Sequence, residues 1–142
     1  MNKQKIASAL LYIVSLVILA FGILYIYTGF TTGLMPYHIK FLGATCDELP
    51  PNVCELMRTF VQIIGFAFTA IGITLFMLIK GMFNGEQDDY DWKIIVAMVS
   101  VLVPVVFEMA HLASYTPWKV VALMLVFAAI ALFLVRPKKE NK

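Results

Sequence analysis

The stretch TFVQIIGFAFTAIGITLFMLI, residues 59–79, decides the fold of this chain. It contains no charged residue, and a helix of about 20 apolar residues is long enough to cross the hydrocarbon core of a membrane. Three further charge-poor runs of similar length follow or precede it, at 6–27, 94–112 and 117–135. We therefore predict an all-α fold, an integral membrane four-helix bundle.

The composition leaves no room for a separate soluble domain. Of the 142 residues, 61% are apolar and 14% are charged, against roughly 25% charged in a typical soluble domain. We predict a single transmembrane domain over 1–142, with helices at about 6–27, 52–82, 94–113 and 117–136. The outer loop, 28–51, contains MPYHIKFLG (35–43), which can form an interfacial helix with its aromatic side chains at headgroup depth.

The distribution of lysine and arginine orients the predicted bundle. With an even number of spans both termini share one side, and the positive-inside rule places the more basic side in the cytoplasm. The side of the termini carries eight basic residues, Lys3, Lys5, Lys80, Lys93, Arg136, Lys138, Lys139 and Lys142. The other side carries three, Lys40, Arg58 and Lys119. We expect a bacterial cytoplasmic membrane, with both termini cytoplasmic.

Small side chains recur on one face of each of the first two predicted helices. Small residues allow helix backbones to approach closely within a membrane, so we predict helix-packing surfaces there. The residues concerned are Ser8, Ser15 and Gly22 on the first helix, and Gly65, Thr69 and Gly72 on the second.

Polar side chains gather at the outer end of the predicted bundle. A carboxylate at membrane depth is costly when unpaired, so Glu108 must face protein or water. Arg58 offers a guanidinium fork that fits a carboxylate, and a purely structural Arg58–Glu108 ion pair is one interpretation. The full set of ligand-pocket candidates is His38, Arg58, Gln62, Glu108, His111 and Tyr115.

A second interpretation treats these residues as a pocket. Apolar walls with a few convergent polar groups would hold the polar head of a lipid-like or quinone-like molecule, so quinone is the cofactor class that this hypothesis allows. A third makes His38, Glu108 and His111 metal ligands, which is a valid ligand set. Metal is disfavoured because His38 comes from a loop of undefined shape.

Three functions remain open at this point. The chain is a membrane protein that binds a hydrophobic molecule on its extracytoplasmic side, an accessory or structural subunit of a larger membrane complex, or a membrane enzyme that uses Glu108 and His111 as acid and base. Membrane lipids and a homo-oligomer or larger complex are the expected partners. Nothing in the sequence resembles a nucleic-acid-binding patch.

The two cysteines, Cys46 and Cys54, both lie in the outer loop. The extracytoplasmic side is oxidising, so a disulfide between them is allowed, and two unpaired thiols are the alternative. A redox-active pair is disfavoured because their spacing is not the C-x-x-C that tunes a thiol pKa.

Four short spans, with a long first outer loop and a terse second one at SYTPW (114–118), resemble the small four-helix bacterial membrane proteins of the DoxX-like family. The resemblance covers the whole chain as architecture and involves no shared motif. Some members of that group are associated with quinone-linked redox complexes, so the resemblance implies a role near quinone chemistry.

Overall fold

A computed structural model describes residues 3–84, 91–111 and 117–135 of the chain. Five α-helices and one short 3₁₀ helix account for nearly all of them. The α-helices are α1 (Lys3–Phe30), α2 (Pro36–Leu42), α3 (Pro51–Asn84), α4 (Asp91–His111) and α5 (Trp118–Val135), and the 3₁₀ helix is Cys46–Glu48. The predicted all-α class is therefore confirmed.

Three stretches within these helices are long and apolar enough to cross a membrane, Lys3–Phe30, Pro51–Gly81 and Trp118–Val135. The apolar part of α4 among the described residues, Ile95–Phe107, is shorter. Large apolar side chains lie on the surface of these helices, with Phe107 72% and Phe133 77% exposed. Such a surface suits hydrocarbon rather than water. α1, α3 and α5 therefore contain stretches of the membrane-spanning type that the composition predicts.

α1 runs three residues beyond its predicted end at Tyr27 and stops at Phe30. The chain then turns sharply, and the N–H of Gly33 donates to the carbonyl of Thr28 at 2.8 Å. Gly33 has a φ of 77°, a left-handed conformation that glycine adopts without strain. This turn directs the chain from α1 into α2.

α2 forms inside the stretch predicted as an interfacial helix. Pro36 occupies its first turn, where a missing N–H costs little. Gly43 ends it with a φ of 69°, and its N–H donates to the carbonyl of Ile39 at 2.9 Å. α3 likewise starts at a proline, Pro51, ahead of the apolar run that follows it.

Contacts divide the described residues into two compact units. The first, which we call the loop unit, is Ser15–Leu75. It contains α1 from Ser15 onward, the whole of α2, the 3₁₀ helix and most of α3. In the second unit, α4 packs against α5. That unit also contains Tyr12 of α1 and Phe76 of α3, whose rings meet edge to face with centroids 5.1 Å apart.

Within the loop unit α1 and α3 run antiparallel in close backbone contact. An added Cβ at Gly22 would lie 2.6 Å from the amide nitrogen of Thr69, and one at Gly65 would lie 2.7 Å from that of Ile26. Ser15 joins the two helices further along, because its hydroxyl donates to the carbonyl of Gly72 at 2.8 Å. We call this surface the small-residue seam: Ser15, Gly22 and Gly29 on α1, with Gly65, Thr69 and Gly72 on α3.

Candidate functional site

The small-residue seam leads to Gln62 and Arg58, the two polar residues of α3 that the sequence places on the same face. Gln62 lies against Gly29 of α1, where an added Cβ would be 2.6 Å from the Gln62 Cγ. The Gln62 side-chain amide donates to the carbonyl of Gly29 at 3.2 Å. Gln62 therefore ties the end of α1 to α3, which is a structural use of a residue predicted to face a ligand.

Arg58 lies one helical turn earlier on α3, beneath the turn that leaves α1. An ideal Cβ at Gly33 would be 3.2 Å from the Arg58 Nε and 3.0 Å from the Sγ of Cys46. The Nε is buried, and among the described residues it has no hydrogen-bond partner. We call Arg58 with Gly33 and Cys46 the Arg58 site.

A disulfide joins Cys46 to Cys54, with their Cα atoms 5.2 Å apart. It links the 3₁₀ helix, which follows α2, to the first turns of α3. Cys46 is buried, and its sulfur approaches the turn at Gly33. The crosslink thereby fixes the chain segment that covers Arg58.

The 3₁₀ helix is further held by a reciprocal cap. The Glu48 carboxylate accepts the N–H of Thr45 at 2.6 Å and the Thr45 hydroxyl at 2.9 Å. The backbone hydrogen bond from Thr45, together with the side-chain one, lowers the pKa of Glu48. The T-x-x-E spacing at 45–48 is the sequence signature of such a cap.

His38 is occupied with its own helix. Its Nδ1 accepts the N–H of Met35 at 3.3 Å, so this nitrogen carries no proton in the cap. Burial lowers the pKa of His38, which keeps the ring neutral. Its ring also meets that of Tyr37 edge to face at 4.4 Å. The structure therefore assigns His38 a capping role in α2 that sequence reasoning did not consider.

α2 is docked on the helix pair through an apolar cluster of Tyr25, Met35 and Val61, all buried. Tyr25 meets the ring of Phe68 at 5.9 Å and that of Tyr37 at 6.5 Å. The cluster holds the segment that starts at Gly33 against α1 and α3. It thereby supports the turn over Arg58.

Three predicted site residues receive no structural test. The side chains of Glu108 and His111, and the whole of Tyr115, lie outside the described residues. The predicted Arg58–Glu108 pair therefore stays a prediction. In the described ranges no group of three or more His, Cys, Asp or Glu side chains is arranged to hold a metal ion.

Sequence reasoning missed two glycines that shape the site. Gly29 continues the seven-residue spacing of Ser8, Ser15 and Gly22, but the predicted helix ended at Tyr27, before reaching it. Gly33 sits in TTG, a composition typical of turns, yet nothing in the sequence signals that Arg58 would lie under it.

Comparison of the chain with known proteins finds no matching protein family, no matching curated protein and no matching solved structure.

Proposed function

We propose that this chain is a four-helix membrane bundle that binds a lipid-like or quinone-like hydrophobic molecule at the Arg58 site. The observation that carries the proposal is the buried Arg58 Nε, which has no acceptor in the described part of the chain. The nitrogens of a guanidinium are donors only, so a buried Nε calls for an oxygen acceptor from elsewhere.

The proposal includes an orientation. α4 supplies the fourth span, both termini are cytoplasmic, and the Arg58 site faces the extracytoplasmic side. The support is the excess of lysine and arginine on the side of the termini. The Cys46–Cys54 disulfide fits this orientation, because disulfides persist on the oxidising side of a membrane.

Apolar side chains flank Arg58 along α3 and at the end of α1. Leu56, Phe60 and Phe30 are each more than half exposed. A molecule whose polar head met Arg58 could lay its hydrocarbon part along such side chains. This combination of one charged donor and an apolar surround favours an amphiphile over a water-soluble ligand.

Native mass spectrometry of the protein extracted in mild detergent tests the proposal. We expect a hydrophobic molecule to be retained by the wild type and lost from Arg58→Gln. Lys119→Gln is the matched control, since it removes an exposed positive charge at the start of α5. A wild type that carries no amphiphile under any extraction condition contradicts the proposal.

The structural alternative, in which Glu108 is the acceptor for Arg58, predicts a different result. In that case Arg58→Gln and Glu108→Gln each lower the thermal stability, and the double variant is no less stable than either single variant. Ligand binding predicts instead that Glu108→Gln retains the bound molecule. The double-mutant cycle therefore separates the two acceptors.

A further inference from the structure

Resting on the proposed function, we infer that the head group at the Arg58 site is an anionic phosphate, and that the ligand is an anionic phospholipid. Three features of the loop unit lead to this: the geometry that holds Arg58, the acceptors already in use around it, and its fixed charge.

The Arg58 side chain is held in place from two sides. The turn at Gly33 lies on one side. An ideal Cβ at Gly33 would be 3.2 Å from the Arg58 Nε and 3.6 Å from the Arg58 Cβ. The disulfide fixes Cys46 against the same turn. Arg58 is only half-buried, so its side chain keeps an accessible part through which a head group can approach. A prepositioned donor binds with little loss of side-chain entropy.

The backbone acceptors of the nearby turn already receive hydrogen bonds. The carbonyl of Thr28 accepts the N–H of Gly33 at 2.8 Å, and that of Gly29 accepts the Gln62 amide at 3.2 Å. The carbonyl of Leu34 accepts the Thr32 hydroxyl at 3.1 Å. The carbonyls of Thr28, Gly29 and Leu34 therefore already accept hydrogen bonds from donors other than Arg58.

The described carboxylates of the loop unit do not bond the Arg58 Nε either. Glu48 is exposed and accepts two hydrogen bonds from Thr45. Asp47 and Glu55 are exposed, and neither accepts a hydrogen bond from the buried Arg58 Nε, which has no partner among the described residues. No described carboxylate of the loop unit therefore serves as the acceptor of the buried Nε.

The fixed charge decides between the two head groups that the proposed function allows. A guanidinium stays protonated under all ordinary conditions, and removing it from water without a counter-charge is costly. A quinone carbonyl is a neutral acceptor and leaves the charge uncompensated. A phosphate diester supplies both the oxygen acceptors and the negative charge, and its geometry suits the guanidinium fork.

The test compares four additions to the delipidated full chain in a neutral detergent. They are phosphatidylglycerol, a diacylglycerol with the same acyl chains, decylubiquinone and inorganic phosphate. The quantity measured is the thermal unfolding midpoint as each addition is titrated. We expect only phosphatidylglycerol to raise the midpoint of the wild type. In Arg58→Gln the concentration needed should rise at least about tenfold, since a hydrogen bond to a charged group is lost.

Two further variants keep the result interpretable. Arg58→Lys retains the charge but not the fork, and should bind phosphatidylglycerol more weakly than the wild type and more tightly than Arg58→Gln. Lys119→Gln should bind as the wild type does. If Arg58→Gln fails to fold, the comparison of Arg58→Lys with the wild type still reports on the site.

The contrary outcomes are distinct. Stabilisation by decylubiquinone that depends on Arg58 overturns the phosphate inference and leaves the proposed function standing. An equal effect of inorganic phosphate alone overturns the lipid as the source. Phosphatidylglycerol stabilisation that survives unchanged in Arg58→Gln overturns the site. If none of the hydrophobic additions changes the unfolding midpoint, the proposed function itself is overturned.

Discussion

At the scale of single residues, Gly22 shows how tightly α1 and α3 are packed. A Cβ there would lie 2.5 Å from the Thr69 Oγ1 and 2.6 Å from the Thr69 amide nitrogen. Backbone cannot yield as a flexible side chain does, so Gly22→Ala should lower the free energy of unfolding by about 1 to 3 kcal/mol. Unfolding in a titration of denaturing detergent measures the loss.

The matched control is Ala20→Leu on the exposed face of α1. It adds more volume than Gly22→Ala but meets lipid or detergent, so stability should stay within about 0.5 kcal/mol of the wild type. If the Gly22→Ala variant were as stable as the wild type, α1 and α3 would not be in close contact along the seam.

His38 makes stability depend on pH. Its Nδ1 must be unprotonated to accept the Met35 N–H, and burial lowers the His38 pKa below its ordinary 6.5. The unfolded chain therefore binds more protons between these two values, so this contribution is complete above about pH 6.5 and is lost as the pH falls through the folded-state pKa. We expect the unfolding midpoint of the wild type to decrease from about pH 7 to pH 5.5.

Comparison with His38→Ala isolates this contribution from that of His111, the other histidine. The variant should be less stable at pH 7 and should approach the wild type as the pH falls. Glu48 does not interfere in this range, because its lowered pKa moves its titration to more acidic pH. Parallel pH curves for the two proteins would contradict the capping role.

At the scale of elements, the disulfide fixes the 3₁₀ helix to the first turns of α3, next to the Gly33 turn that lies over Arg58. Cys46 and Cys54 are separated by 8 positions, and closing so short a loop in the unfolded chain corresponds to about 2 to 3 kcal/mol. The double variant Cys46→Ser/Cys54→Ser should unfold at a correspondingly lower temperature. A reductant should destabilise the wild type and leave the double variant unaffected, and a wild type insensitive to reductant under denaturing conditions would argue against the crosslink.

The elements themselves could largely be predicted, because apolar runs and prolines mark helices directly. Pro51 and Pro36 both begin helices, as their missing N–H groups allow. The end of α1 could not be predicted, because GFTTG (29–33) has the composition of a turn although Gly29 is still helical. What extends the helix is the contact of Gly29 with Gln62 of α3, and no local pattern reports that contact.

At the scale of the whole molecule, the proposed four-span topology leads to a prediction that is independent of any ligand. Reporter fusions at the N-terminus and at the C-terminus should both report a cytoplasmic location, because the basic residues favour that side. A fusion inserted at Gly43, whose surroundings are open, should report the opposite side. Termini found on opposite sides would require an odd number of spans.

The candidate site was predictable only in part. Arg58 and Gln62 stood out because polar side chains are rare beside an apolar helix, and α3 brings them to one face. The uses of Gln62 and His38 depend on distances to Gly29 and Met35 that spacing along the chain does not define. Polarity marked the residues, whereas their partners follow from the contact of α1 with α3 and from the way α2 begins.

The small-residue seam has a consequence for the order of assembly. Its contacts all join α1 to α3, the first two long helices of the chain, and only the segment 31–50 separates them. Closing a loop of that length adds little entropy cost, and the N-terminal part of a chain emerges first during synthesis. The hairpin of α1 and α3 can therefore be complete while α4 and α5 are still being made.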